Sequence, residues 1–118
     1  MLAAIQERIR AAASRGQRLR LRGGGSKDFY GGEPRGELLD TREHAGIVDY
    51  EPTELVVTAR CGTPLAELEA ALEERGQMLP FEPPHFGPGA TLGGCVAAGL
   101  SGPRRAAAGA VRDFVLGA

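Results

Sequence analysis

At 118 residues the chain is one small domain or a piece of a larger one, because domains usually run about 100–150 residues, and two full domains are excluded. Hydrophobic residues at 42%, charged residues at 25%, and 18 glycines with 8 prolines place it among globular rather than low-complexity sequences. The net charge of −1 argues against a polyanion partner for the whole molecule.

That charge is uneven. Residues 1–28 carry seven basic side chains against Glu7 and Asp28, residues 29–100 carry four basic against twelve acidic, and the tail returns to positive through Arg104, Arg105 and Arg112. Cys61 and Cys95, in a chain with no signal peptide pattern, read as free thiols of a reducing compartment. No apolar run approaches the ~20 residues of a membrane span, so a soluble, cytoplasmic protein is expected.

In chain order, Leu2, Ile5 and Ile9 recur at helical spacing, Ala12 and Ala13 continue that face, and Gly16 is a stop just beyond. Arg18 to Arg22 alternate strictly, which predicts a short strand with Leu19 and Leu21 on one face and three arginines on the other. Short strands are expected over 37–41, 47–50 and 55–60, separated by turn-prone pieces such as Glu51-Pro52-Thr53. Thr63 reads as an N-cap with Pro64 at the first helical position, Leu65, Leu68 and Leu72 as the buried face, and Gly76 as the close of a second helix. Four prolines within 80–90 exclude helix and central strand there. Thr91 is expected to cap a short helix over 92–98, broken by Gly99 and Gly102, and 111–116 reads as one more strand.

Two glycine-bearing segments carry the chemistry. Arg22-Gly23-Gly24-Gly25-Ser26 follows a strand, and three consecutive glycines let several N–H groups converge on one anion, with the Ser26 hydroxyl as another donor. The bland alternative is a flexible turn. Gly89-Ala90-Thr91-Leu92-Gly93-Gly94 opens a helix whose first amides and dipole favour a phosphate, although taken alone Gly93 and Gly94 are better accounted for by close packing. Together, about 65 residues apart, the two are better explained by one diphosphate-bearing ligand gripped from two sides.

The usual nucleotide fingerprints fail. Ser26-Lys27 lies near glycines but without P-loop spacing, and neither Gly87-Pro88-Gly89 nor Gly23 to Gly25 is followed by the third glycine of a Rossmann motif. His44 and His85 lack partners at metal spacing, Cys61 and Cys95 have no adjacent base, and the arginines of 8–22 have no interleaved aromatics for nucleic acid.

The motifs Arg22-Gly23-Gly24-Gly25-Ser26, Tyr50-Glu51-Pro52, 59–65, Ala90-Thr91-Leu92-Gly93-Gly94 and Val111-Arg112-Asp113-Phe114 resemble, in order, the FAD-binding domain of the vanillyl-alcohol-oxidase, or PCMH, flavoproteins. Within that family, 79–86 and 99–105 are most similar to the FAD-binding subunits of bacterial glycolate oxidases. The resemblance covers nearly the whole chain. It implies an α+β fold: a first subdomain over 1–79, a Pro-rich connection over 80–90, and the start of a second subdomain over 91–118.

It further implies FAD with its pyrophosphate on Arg22, Gly23, Gly24, Gly25 and Ser26 and on Ala90, Thr91, Leu92, Gly93 and Gly94. Gly99, Ser101, Gly102 and Val111 would line the flavin or adenine side. Many relatives attach flavin through a His beside the glycine loop, whereas Ser26-Lys27-Asp28 stands here, so the flavin is expected to be non-covalent.

The implied activity is oxidation of a 2-hydroxy acid, glycolate by the resemblance, in a complex with a second flavoprotein and an iron–sulfur subunit. Contact with the inner membrane would come through those partners. No catalytic residue and no metal ligand is expected in these 118 residues, which lack a cap domain and should turn over little by themselves. A different class remains open, a free-standing, non-catalytic interaction module that pairs with another subunit.

Overall fold

The computed structural model describes residues 2–25, 35–80, 83, 89–99 and 109–118. Ser26, His85, Ser101, Gly102 and most of the Pro-rich connection lie outside the described residues.

Helix α1 spans Leu2–Ser14. It ends where the sequence predicts: Gly16 adopts φ +63°, its N–H bonds Ala13 O, and Gln17 N–H reaches back to Ala12 O at 2.8 Å. This paired closure satisfies carbonyls the helix would otherwise leave open. Helix α2, Leu65–Glu73, closes in the same way at Gly76 (φ +66°), with Gln77 N–H on Leu72 O.

Strands β1 (Leu19–Arg22) and β2 (Glu37–Asp40) form a two-stranded parallel sheet, Leu21 opposite Leu39. Arg8 of α1 ties the helix to β2 through Leu38 O and the Glu37 carboxylate. Leu39 is fully buried, whereas Leu21 is 71% exposed. The alternation of β1 therefore gives the strand but not a two-leucine core face: Leu21 is left in solvent, and Arg20 turns a buried Nε inward that has no hydrogen-bond partner among the described residues.

Strands β3 (Ile47–Glu51) and β4 (Val56–Ala59) pair antiparallel, with a bulge between Ile47 and Asp49 that throws Val48 outward. A 3-10 turn over Pro52–Glu54 joins them. The Tyr50 hydroxyl bonds the Gln77 side-chain oxygen, and Gln77 Nε2 donates to Pro52 O at 2.8 Å, locking the end of α2 onto that turn.

Leu65, Leu68 and Leu72 are buried as the helical spacing requires. Each such side chain contributes about 1.5–3 kcal/mol of transfer free energy. The start of α2 differs from the expectation: Pro64 is the N-cap and no side chain caps the helix. The hydroxyl of Thr63 is committed elsewhere, and the Leu65 N–H goes to Ala90 O at 2.8 Å.

Helix α3, Leu92–Ala98, matches the predicted range and is capped by Thr91, whose hydroxyl accepts Gly94 N–H at 3.1 Å. Gly99 ends it at φ +67°. The expected strand over 111–116 does not form. Val111–Asp113 is a 3-10 turn, held by Ala110 N–H on the Asp113 carboxylate at 2.8 Å. Its apolar residue is used differently: Val111 is buried with Leu65, Ala90 and Cys95 in one cluster, with Leu79 packed against it. Helices and small sheets together give the α+β class. No described helix is long and apolar enough to cross a membrane.

Candidate functional site

The glycine loop at the end of β1 and the segment that leads into α3 are in direct contact. A Cβ on Gly23 would stand 2.6 Å from Thr91 Oγ1 and 3.4 Å from its Cγ2. One on Gly24 would collide with the backbone of Gly89, and one on Gly89 would approach Gly24 O at 3.3 Å. Two of the three loop glycines are thus required by the protein's own chain, which approaches closer than any side chain allows. Gly25 has φ +71°, and the Arg22 guanidinium occupies the place its Cβ would take.

The opposite wall is fixed by backbone hydrogen bonds. Leu92 N–H donates to Thr63 O at 2.9 Å, Gly93 N–H to Cys61 O at 2.8 Å, and Cys95 N–H to Thr91 O at 3.0 Å. Gly93 is also sterically bound to be glycine, since its Cβ would lie 2.8 Å from Cys61 Cβ. The support continues: Gly62 N–H bonds His44 O, His44 N–H bonds Thr41 O, and Thr41 N–H returns to Arg22 O at 3.0 Å. A closed circuit of contacts thus runs from the glycine loop through the turn after β2, residues 61–63 and α3 back to Gly23.

Of the predicted site residues, Gly23 lies against Thr91, Gly24 against Gly89, the neighbour of Ala90, and Gly25 beside the Arg22 guanidinium, with Leu92, Gly93 and Gly94 following in the first turn of α3. Gly99 sits at the other end of α3. Val111 is 4% exposed with its side chain in the apolar cluster, so that side chain faces the core rather than a ligand. Sequence reasoning counted Gly89 in the second glycine segment and Thr63 as a helix cap, but missed the approach of Gly89 to Gly24 and the bonds of the buried Thr63 hydroxyl to Gly46 and Arg60. The signal available for both was a glycine or threonine beside a proline in a turn-prone stretch.

The sequence profile of the FAD binding domain family matches residues 2–118. The chain belongs to that FAD-binding family. It is 58% identical over 114 residues to the glycolate oxidase subunit GlcE of Escherichia coli (strain K12), a match that covers 97% of this chain and 33% of that protein. It thus spans about a third of the length of that curated relative. No solved structure matches the chain.

FAD is accordingly the cofactor of this FAD-binding domain. The glycine loop fits a diphosphate: among the described residues the N–H groups of Gly23, Gly24 and Gly25 meet no hydrogen-bond acceptor, and three such donors in succession suit an anion. The first turn of α3 has less to offer, because the N–H groups of Leu92, Gly93, Gly94 and Cys95 are all bonded within the protein. The expectation that those amides face a phosphate gives way to a supporting role, in which they hold Thr91 and Gly89 against the loop that has donors to spare.

Proposed function

We propose that this chain supplies the pyrophosphate-binding part of a non-covalent FAD site in an oxidoreductase subunit that acts on a 2-hydroxy acid, glycolate by its likeness to GlcE. The observation that carries the reading is the Gly23–Gly25 loop, with N–H groups free to donate and lying against Gly89 and Thr91. Those amides, with Ser26 beyond them, would hold the diphosphate oxygens and Arg22 would balance their charge. Ala90 to Gly94 would form the wall behind the loop, and backbone near Gly99, Ser101, Gly102 and Val111 would border the rings of the cofactor.

The chemistry the flavin supplies when bound is acceptance of two electrons as the hydroxy acid becomes an oxo acid, and the residues here contribute binding and orientation. Residues 1–79 act as the first subdomain, 80–90 as the connection and 91–118 as the start of a second. Turnover requires sequence and partner subunits beyond these 118 residues, a second flavoprotein and an iron–sulfur protein among them, which would hold the complex in the cytoplasm or at the inner membrane.

The test is titration of FAD with the purified protein, followed by quenching of flavin fluorescence, with acid precipitation of the loaded protein. Saturable quenching and release of all flavin into the supernatant are expected. A folded protein that leaves flavin fluorescence unchanged overturns the reading in favour of a non-catalytic interaction module, and flavin retained in the pellet overturns the non-covalent assignment.

A further inference from the structure

Arg20 stands within β1, outside both glycine segments. Its Nε is buried and has no hydrogen-bond partner among the described residues, and its guanidinium makes no ion pair with any of them. Other arginines of this region are held: Arg8 by Glu37 and Leu38 O, Arg15 by Ala11 O, and Arg42 by Asp40. A donor shut away from water without an acceptor lowers stability, because its lost hydration is not made up.

The strand limits where an acceptor can come from. Side chains two residues apart on a strand share a face, about 6.6–6.8 Å from one another, so Arg20 and Arg22 are neighbours on one side of β1. The Arg22 guanidinium occupies the place a Cβ on Gly25 would take. That face therefore leads to the loop whose N–H groups are free to donate. A diphosphate held there carries two ionised phosphate groups, and Arg22 balances the charge of one. Arg20, next along the same face, has the planar donor fork that suits the other.

We infer that Arg20 is a second cationic contact for the cofactor, its guanidinium donating through Nε to a phosphate oxygen of the FAD diphosphate. This rests on the assignment of the diphosphate to the glycine loop. Without FAD the protein keeps an unmatched buried donor, so Arg20 serves binding at the expense of the unloaded fold. It takes no part in electron transfer.

An arginine that only lays its stem along the sheet would add stability and leave FAD untouched, which gives two readouts of opposite sign. FAD affinity is measured by quenching of flavin fluorescence, and thermal stability without FAD by circular dichroism, for wild type, Arg20→Met, Arg20→Lys and Arg18→Met. Methionine removes the charge and the donors, and lysine keeps the charge without the Nε–H. Arg18 is an exposed cation two residues before Arg20.

Arg20→Met is expected to weaken FAD binding about tenfold or more, as loss of a charge-assisted hydrogen bond does, while melting no lower than wild type without FAD. Arg20→Lys is expected to lose at least about threefold, because an ammonium does not reproduce the planar fork. Arg18→Met should bind within about twofold of wild type, since salt screens exposed charges.

Wild-type affinity in Arg20→Met or Arg20→Lys overturns the inference. So does an equal loss in Arg18→Met, which marks a general effect of charge, and so does a lower melting temperature or failure to fold in Arg20→Met, which marks a structural arginine. Wild-type protein that does not bind FAD overturns the assignment of the diphosphate to the glycine loop instead, so the two failures are told apart.

Discussion

The hydroxyl of Thr63 accepts the N–H of Gly46 at 3.0 Å, joining the start of β3 to the turn before α2. It also donates to Arg60 O at 2.6 Å, and the residue is fully buried. Because Thr63 O in turn receives the Leu92 N–H, this one residue fixes the distance between the strand layer and the helix that backs the glycine loop. Thr63→Val keeps the shape and removes the hydroxyl, leaving a buried N–H without its acceptor. A loss of about 1–3 kcal/mol is expected, read as a lower midpoint in urea with an unchanged slope.

The two glycine segments should respond differently to a single methyl group. At Gly24 an added Cβ strikes the Gly89 backbone, which has no flexible end to yield, whereas at Gly94 it meets only Thr91 Oγ1 at 3.2 Å. Gly24→Ala is therefore expected to cost about 1–3 kcal/mol through forced backbone displacement. Gly94→Ala should fall within about 1 kcal/mol of wild type, as the helix preference for alanine offsets the tight contact. Thermal melts of the two variants check this, and a Gly24→Ala protein as stable as wild type would contradict the close approach of Gly24 and Gly89.

Leu55 is the one described non-glycine residue with positive φ, at +58°, and it is 78% exposed. An L-residue with a bulky side chain is held there at a cost of about 1–2 kcal/mol, and the exposed leucine offsets little of it by packing. Leu55→Gly should be neutral or stabilising by up to about 1 kcal/mol, which chemical denaturation would show. A clear loss of stability would mean that the side chain makes contacts stronger than its exposure implies.

Asp40 accepts from the Arg42 side chain, through Nε at 3.0 Å and Nη2 at 2.6 Å, and from the Arg42 N–H at 2.9 Å. These bonds favour the charged carboxylate and bring its pKa from 3.8 to about 2, the Arg42 side chain being the largest cause. Since the folded value is depressed, the associated stability is present above the ordinary carboxylate range and is lost as pH falls from about 4 toward about 2. Solvent exposure of the pair keeps its contribution to folding small. Carbon-detected NMR titration of Asp40 should give a midpoint near 2 in wild type and one near the ordinary value in Arg42→Ala.

Much of the secondary structure was legible because its causes are local. Apolar residues at helical spacing and a glycine just past each end specify α1, α2 and α3, since helix closure depends on residues within one turn of the end. The strands could be placed to within a residue or two, for alternation and turn residues also act over short distances. Residue types alone suggested that the glycine loop and the segment into α3 lie together, and Gly23 does lie against Thr91 and Gly24 against Gly89.

What only the tertiary structure decided were matters of contact between distant parts of the chain. Alternation in β1 could not tell which leucine meets solvent, because that depends on what covers each face of a two-stranded sheet, and Leu21 is exposed opposite a buried Leu39. An apolar run after Ala110 suits a strand in isolation, yet a strand needs a partner edge, and Val111 instead enters the cluster with Leu65, Ala90 and Cys95. Thr63 had the local pattern of a helix cap, but the Gly46 N–H and Arg60 O offered its buried hydroxyl better-satisfied bonds. The sequence alone thus determined the helices, the short strands and membership of an FAD-binding family. That Gly23 and Gly24 are glycines to admit Thr91 and Gly89, and that the amides of α3 are spent on support, follows from steric contact and hydrogen bonding across the fold, which no local pattern encodes.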